Sequence, residues 1–244
     1  MADLSETRQV AGVAVGVLNA QDGRDYQEDF FFTAQNAPLD ISKIHGFLQT
    51  AFKTTADKFV NATDTGSTGT IAIVTPDQHI TTAHLGDSPA VLFVCDHKTG
   101  NVKAHLLTPP HNSKNAKEEA RVTKAQGFFW GGDLAQDYKT KDSSKIQLRR
   151  LGITRSFGDK FFKAISDDPE INRFNIRKYA KPNDRVFLCV TSDGVLGDNK
   201  EMLPESYETL IANALGNSSS PQEIAQKMAK RARDKGGEYN GTDN

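Results

Sequence analysis

The sequence predicts an α+β fold: two antiparallel β-sheets packed face to face as a β-sandwich, with α-helices on the outside. Three observations predict it. Between residues 70 and 107 short apolar or alternating runs follow one another across tight turns, as neighbouring antiparallel strands do. Helical periodicity is confined to a few segments, one opening near Ile44, one near Asn112 and a pair toward the C-terminus. Strands and helices therefore cluster rather than alternate, which argues against a parallel βαβ sheet.

Taken in order, Arg8 to Leu18 reads as one buried strand, Ala20 to Gly23 as a turn, and Phe30-Phe-Phe-Thr33 as the start of the next strand. From Asp40 the period changes. Ile44, Phe47, Leu48, Ala51, Phe52, Thr55 and Phe59 recur at helical spacing, so a helix of nearly five turns starts on Asp40 or Ser42 as N-cap. Asp64-Thr-Gly-Ser-Thr-Gly69 is a loop opening onto strand Thr70 to Val74. Pro76-Asp77-Gln78 turns the chain into strand His79 to Leu85, and Gly86 to Pro89 into strand Ala90 to Cys95. Another strand runs through Leu107, and Asn112 to Gln126 reads as a helix stopped at Gly127. Gly131 to Lys145 is expected to be a hairpin or mobile loop, Leu151 to Arg155 a strand, Ser156 to Pro169 a loop and Arg185 to Thr191 a strand. Glu205 to Leu215 and Pro221 to Asp234 close the chain as helices, the second burying Ile224, Ala225, Met228, Ala229 and Ala232.

Composition excludes more than it identifies. Thirty basic residues against 31 acidic leave a formal charge of -1, so no global field favours nucleic acid or an anionic membrane. Val10 to Leu18 lacks signal-peptide flanks, and no run approaches the ~18 apolar residues of a spanning helix. Cys95 and Cys189 lie in apolar strand runs without metal or redox spacing, and read as buried thiols. The expectation is a soluble, cytoplasmic, monomeric protein with no nucleic-acid or membrane partner.

The chemistry starts at Thr191-Ser192-Asp193-Gly194. A strand that ends in a carboxylate followed by glycine delivers a hard oxygen ligand to one end of a sheet. Arg24-Asp-Tyr-Gln-Glu28-Asp29 and Gly241-Thr-Asp243-Asn244 are two further acidic outlets. If Asp29, Asp193 and Asp243 meet at one sheet end, carboxylates without histidine or thiolate favour Mg²⁺ or Mn²⁺. Such ions generate a nucleophile from water for phosphate ester hydrolysis, and Arg24 is spaced to grip the phosphoryl oxygens in a fork.

Seven short motifs occur in one order: Arg24-x-x-x-Glu28-Asp29, Gly66-Ser-Thr-Gly69, Leu85-Gly-Asp-Ser88, Leu107-Thr with Glu118-Glu-Ala-Arg121, Ile153-Thr-Arg-Ser-Phe-Gly-Asp159, Thr191-Ser-Asp-Gly194 and Gly241-Thr-Asp-Asn244. In this the chain resembles the metal-dependent protein phosphatase 2C family of Ser/Thr phosphatases. The resemblance implies a β-sandwich flanked by helices, two Mg²⁺ or Mn²⁺ ions, and hydrolysis of phosphoserine and phosphothreonine in a phosphorylated protein partner. It makes Asp29, Asp193 and Asp243 metal ligands, Glu28 a ligand acting through water, and Arg24 the phosphate-binding residue. Arg24, Asp29 and Asp193 are thus the catalytic set.

The chain departs from the family in specific places. The Asp-Gly-His-Gly-Gly segment, whose Asp bridges the two metals, is absent, and about ten residues separate Asp29 from the long helix. Residues 1–244 therefore read as a single domain without one internal strand-helix unit and without the family's C-terminal strand. Pro110 stands at a third-metal Asp position, Pro89 replaces an Arg, and Gly197 falls where an Asp commonly stands. Asp40 and His45 are imaginable stand-ins for the missing bridge, but an N-cap and a helix-surface histidine are the simpler readings. Asp87 and Asp159 are expected to brace loops, Gly66 and Gly69 to serve a turn, and His84, His105 and His111 to be ordinary strand or loop residues. Three functions follow: a working phosphatase, a pseudophosphatase that scaffolds or binds phosphoproteins, and a shortened form of an ordinary phosphatase.

Overall fold

A computed structural model of the chain describes residues 4–10, 13–19, 40–62, 64–139, 146–196, 207–216 and 220–236. The described chain falls into two compact units, 40–90 with 107–175 and the remainder.

The strands in chain order are β1 (Leu4–Val10), β2 (Val13–Asn19), β3 (Gly66–Ser67), β4 (Gly69–Thr75), β5 (His79–Leu85), β6 (Ala90–Cys95), β7 (Val102–Leu106), β8 (Phe128–Trp130), β9 (Asp133–Lys139), β10 (Ile146–Leu151), β11 (Phe157–Gly158), β12 (Glu170–Asn175) and β13 (Arg185–Val190). The α-helices are α1 (Ile44–Lys58), α2 (Ala116–Lys124), α3 (Asp193–Leu196), α4 (Glu208–Gly216) and α5 (Pro221–Gly236).

In the unit built on residues 40–90 and 107–175, β5 is the middle of the sheet β12-β5-β4 and pairs antiparallel with both neighbours. A central strand is covered on both faces and flanked on both edges, which is why Ile80 to Leu85 are all buried although Thr81, Thr82 and His84 are polar. The turn Pro76-Asp77-Gln78 joins β4 to β5 as the sequence predicts, with Gln78 at φ 63°. Helix α1 begins where expected: a 3-10 turn at Ile41–Lys43 leads in, and Asp40 accepts a bond from Ser42 N. Its buried stripe is Ile44, Leu48, Phe52 and Ala56, packed with Ala83, Leu85 and Phe157. Phe47, placed on that face by spacing, is 55% exposed instead, because it lies about 100° around the helix from Leu48. Fully burying a side chain such as Leu48 or Phe52 is worth about 1.5 to 3 kcal/mol.

Helix α2 is shorter than the periodicity suggests. Asn115 caps it by accepting from Lys117 N, so Asn112 to Lys114 form a turn before it. Gln126, at φ 59°, ends it one residue ahead of the predicted glycine stop. The polar stretch after α2 folds into the three-stranded sheet β10-β9-β8, whose inner face buries Leu134 with Val122, Phe162 and Ala164. Strand β12 was not anticipated: Glu170 to Asn175 alternates weakly and is identified by its pairing with β5.

In the other unit β1 and β2 form an antiparallel hairpin, with Val10 opposite Val13, where the sequence suggested one continuous strand. The sheet β13-β6-β7 has β6 at its centre, and all six of its residues are buried. Val91, Phe93 and Cys95 pack with Cys189 of β13, Tyr207 just before α4, Ile211 of α4, and Ile224 and Met228 of α5. Of the predicted α5 stripe, Ile224, Met228 and Ala232 are buried, whereas Ala225 and Ala229 are half-buried. The strand expected at Phe30 lies outside the described residues.

Candidate functional site

Strand β13 ends as the sequence predicts, in an acidic outlet. After Val190 the chain leaves the sheet, and Asp193, half-buried, opens the single turn of α3. Tyr207 donates its hydroxyl to the Val195 carbonyl and fixes that turn. Thr191 Oγ1 is buried with no hydrogen-bond partner among the described residues. The outlet thus combines a carboxylate with a hydroxyl, hard oxygen donors of the kind a divalent cation selects. Arg24, Glu28, Asp29 and Asp243 lie outside the described residues, so Asp193 is the one member of the predicted set whose surroundings are described.

The motifs between residues 66 and 159 converge in their own unit. Gly66-Ser67 pairs with Phe157-Gly158 as β3-β11. Asp159 tucks against Gly66 so closely that a Cβ there would lie 1.9 Å from Asp159 Oδ2, and Asp159 also accepts from Ser156 Oγ at 2.7 Å. Asp159 is therefore a brace, as expected. Gly66 serves close approach and not the turn proposed for it. Asp40 is an N-cap and His45 is exposed on the helix surface, so neither replaces a bridging ligand. Pro110 offers its carbonyl to Asn115 Nδ2 and so helps fix the start of α2.

Sequence reasoning passed over a buried polar cluster. His84, from β5, and His111, from the loop before α2, stack with ring centroids 4.2 Å apart and planes 6° apart. Glu170 of β12 reaches His111 Nε2 at 3.4 Å. The three side chains offer ligand atoms within 4.8 Å of one another, a spacing that a cation can use. The ring geometry argues against it. An imidazole binds a metal along a lone pair in its own plane, and two nearly parallel planes in a stack do not meet at one ion. Burial pushes both histidines below their ordinary range, His111 to about 3, and the positive Arg155 nearby adds to this. The missed signal was topological: β12 places Glu170 opposite His84 in register.

The family described as "Protein phosphatase 2C" matches residues 27–241. The chain is 28% identical over 222 residues to "Protein phosphatase 1K, mitochondrial" of Xenopus laevis, covering 89% of this chain and 53% of that protein. It is 35% identical over 133 residues to "Protein phosphatase 2C 56" of Arabidopsis thaliana, covering 53% of this chain and 25% of that one. The chain thus spans about half or less of the length of these relatives. Among solved structures, serine-threonine phosphatase 2C from Toxoplasma gondii superposes with a TM-score of 0.52 at 16% identity, over 85% of this chain and 69% of that one, and so shares the fold.

Proposed function

Because the chain belongs to the protein phosphatase 2C family, we propose that it hydrolyses phosphoserine and phosphothreonine in a phosphorylated protein. The observation that carries this reading is the family match across residues 27–241, which takes in Glu28, Asp29 and Asp193 in motif order. Asp29, Asp193 and Asp243 would hold Mg²⁺ or Mn²⁺, with Glu28 acting through water. When bound, such ions lower the pKa of water and offset phosphate charge. Arg24 binds and orients the phosphoryl group, a task that suits its planar fork of donors. Asp193 sits at a strand outlet and not on a free loop, which supports a fixed ligand position.

The test is Mn²⁺- or Mg²⁺-dependent hydrolysis of p-nitrophenyl phosphate and of a phosphothreonine peptide. Turnover is expected with the ions, to be abolished by EDTA and by Asp193→Asn. Turnover that persists at full rate in EDTA overturns the reading.

A second reading rests on the missing Asp-Gly-His-Gly-Gly segment. Without its bridging carboxylate two ions repel each other with less compensation, and the chain becomes a pseudophosphatase that binds phosphoproteins without cleaving them. Calorimetry separates the two: two Mn²⁺ per chain for the enzyme, at most one weak ion and no turnover for the binding module. Among the described residues no helix is long and apolar enough to cross a membrane. The two free, buried cysteines support a reducing compartment such as the cytoplasm, and we propose that the chain acts as a monomer.

A further inference from the structure

The His84–His111 stack takes no part in the function proposed above, yet its hydrogen bonds settle where its protons sit. His84 Nε2 lies 2.9 Å from the Pro109 carbonyl, which can only accept, so Nε2 carries the proton. Nδ1 of the same ring is buried with no partner among the described residues. His111 Nδ1 lies 3.1 Å from the N–H of Gly86, which can only donate, so that nitrogen is bare and the proton is on Nε2, facing Glu170. Each ring is held as the neutral Nε2–H form.

Neither ring has a place for a second proton. On His84 it would find no partner in hydrogen-bonding geometry among the described residues, although the nearby Glu170 backbone favours charge on that ring. On His111 it would set an N–H against the N–H of Gly86, and two stacked cations would then face each other at 4.2 Å. The charged groups around the stack are Glu170 from β12, Glu118 from α2, Arg155 from the segment between β10 and β11, and the buried Asp87 beside Gly86. Glu118 is already taken up by Arg121, Thr154 and Arg155, and Glu170 also accepts from Asn172. Glu170 is 21% exposed and lines a shallow pocket of about 260 Å³ with Pro109, Pro110 and Lys114, which gives protons a route from solvent to His111.

What the stack holds is a turn. Gly86, at φ 88°, donates to His111 Nδ1 and its carbonyl accepts from His111 N, so the two residues clasp each other across 25 positions of sequence. We propose that the His84–His111 pair is an acid-release latch: neutral, it clamps the Gly86–Ser88 turn to the Leu107–Asn112 loop, and a proton on His111 Nδ1 opens the clamp while β5 stays folded. Other ties of the turn, among them Thr68 to the Ser88 hydroxyl and Thr70 to the Ser88 carbonyl, carry no titratable group and persist. The inference is independent of the phosphatase reading, since no proposed metal ligand takes part.

Nitrogen-15 NMR of the histidine rings and amide hydrogen exchange test it on the whole chain. Both rings are expected as the Nε2–H tautomer at pH 7.5. Between pH 7 and 5 the protection factor of the Gly86 amide is expected to fall at least tenfold relative to that of Thr82 in mid-β5. His111→Asn keeps an oxygen for the Gly86 N–H and removes the titration, and it should abolish that fall. His84→Gln keeps the donor to Pro109, removes the neighbouring ring whose charge holds a proton off His111, and should shift the transition to higher pH. An Nδ1–H tautomer at His111 at neutral pH, titration of His111 with no change at Gly86, or loss of protection at Gly86 and Thr82 together would each overturn the latch. The tautomer measurement needs no variant, so it decides even where a substitution fails to fold.

Discussion

Arg155 Nη2 lies 2.6 Å from Glu118 Oε1, in a pair whose carboxylate is only 1% exposed and whose members come from two motifs 37 residues apart. The other carboxylate oxygen accepts from Arg121 Nε at 3.0 Å and from Thr154 Oγ1 at 2.7 Å. Arg121 spends its remaining donors on the Thr154 and Ala164 carbonyls. Every strong group in the cluster has a partner, which is the condition under which a buried charge is tolerated.

Removing Glu118 leaves two charged and only partly solvated arginines without their shared carboxylate. Glu118→Gln keeps the shape but strands two guanidinium groups, and is expected to cost about 3 to 5 kcal/mol in urea unfolding with an unchanged slope. Burial alone would raise the Glu118 pKa, but the bonds from Arg155 and Thr154 and the two arginine charges bring it from 4.5 down to about 2. The folded value lies below the unfolded one. Its stabilisation is therefore complete above pH 4.5 and is lost as pH falls from there toward 2. The acid limb of a stability–pH curve should be shallower over that window in Glu118→Gln.

Gly66→Ala places a methyl 1.9 Å from Asp159 Oδ2 and 2.7 Å from the Phe157 carbonyl. The backbone clash cannot be relieved by a side chain, so a loss of about 1 to 3 kcal/mol or more is expected. Gly69→Ala meets only the Phe157 ring, at 2.7 Å, and a ring can shift. Thermal melts should rank Gly66→Ala as the more damaging of the two.

Leu48→Ala and Phe47→Ala are adjacent on α1 and should differ sharply. Leu48 is fully buried, and its truncation is expected to cost about 2 to 5 kcal/mol. Phe47 is 55% exposed, and its truncation should stay within about 0.5 kcal/mol. Denaturant midpoints of the two variants check the assignment of the buried stripe.

Burial pushes the Cys189 thiol up to about 12, with its sulfur 4.0 Å from Met228 Sδ, and Cys95 is buried as well. Native protein should release almost no chromophore from Ellman's reagent at pH 8 over minutes. In 6 M guanidinium two thiols per chain should react.

Mn²⁺ at a hundredfold excess over its Kd is expected to stabilise the chain by about 2.7 kcal/mol, an effect reversed by EDTA and lost in Asp193→Asn. Differential scanning fluorimetry with and without the ion measures it. This readout reports binding without turnover, so it holds for the enzyme and the binding module alike.

Local pattern was enough for some parts of this protein and not for others. The amphipathic stripe of α1, the Asp40 cap, the β4–β5 hairpin and the Asp193 outlet were legible because each depends on residues within a turn or two of one another, where side-chain period and turn chemistry act directly. Family motif order carried the fold class further than periodicity could. Tertiary structure decided the rest. Phe47 faces outward because the neighbouring sheet meets only one side of the helix, and β12 exists as a strand because β5 offers it an edge. Gly66 must lack a side chain because Asp159 arrives from more than ninety residues away. The protonation of His84 and His111 is set by Pro109, Gly86 and Glu170, three partners that only folding brings to the two rings.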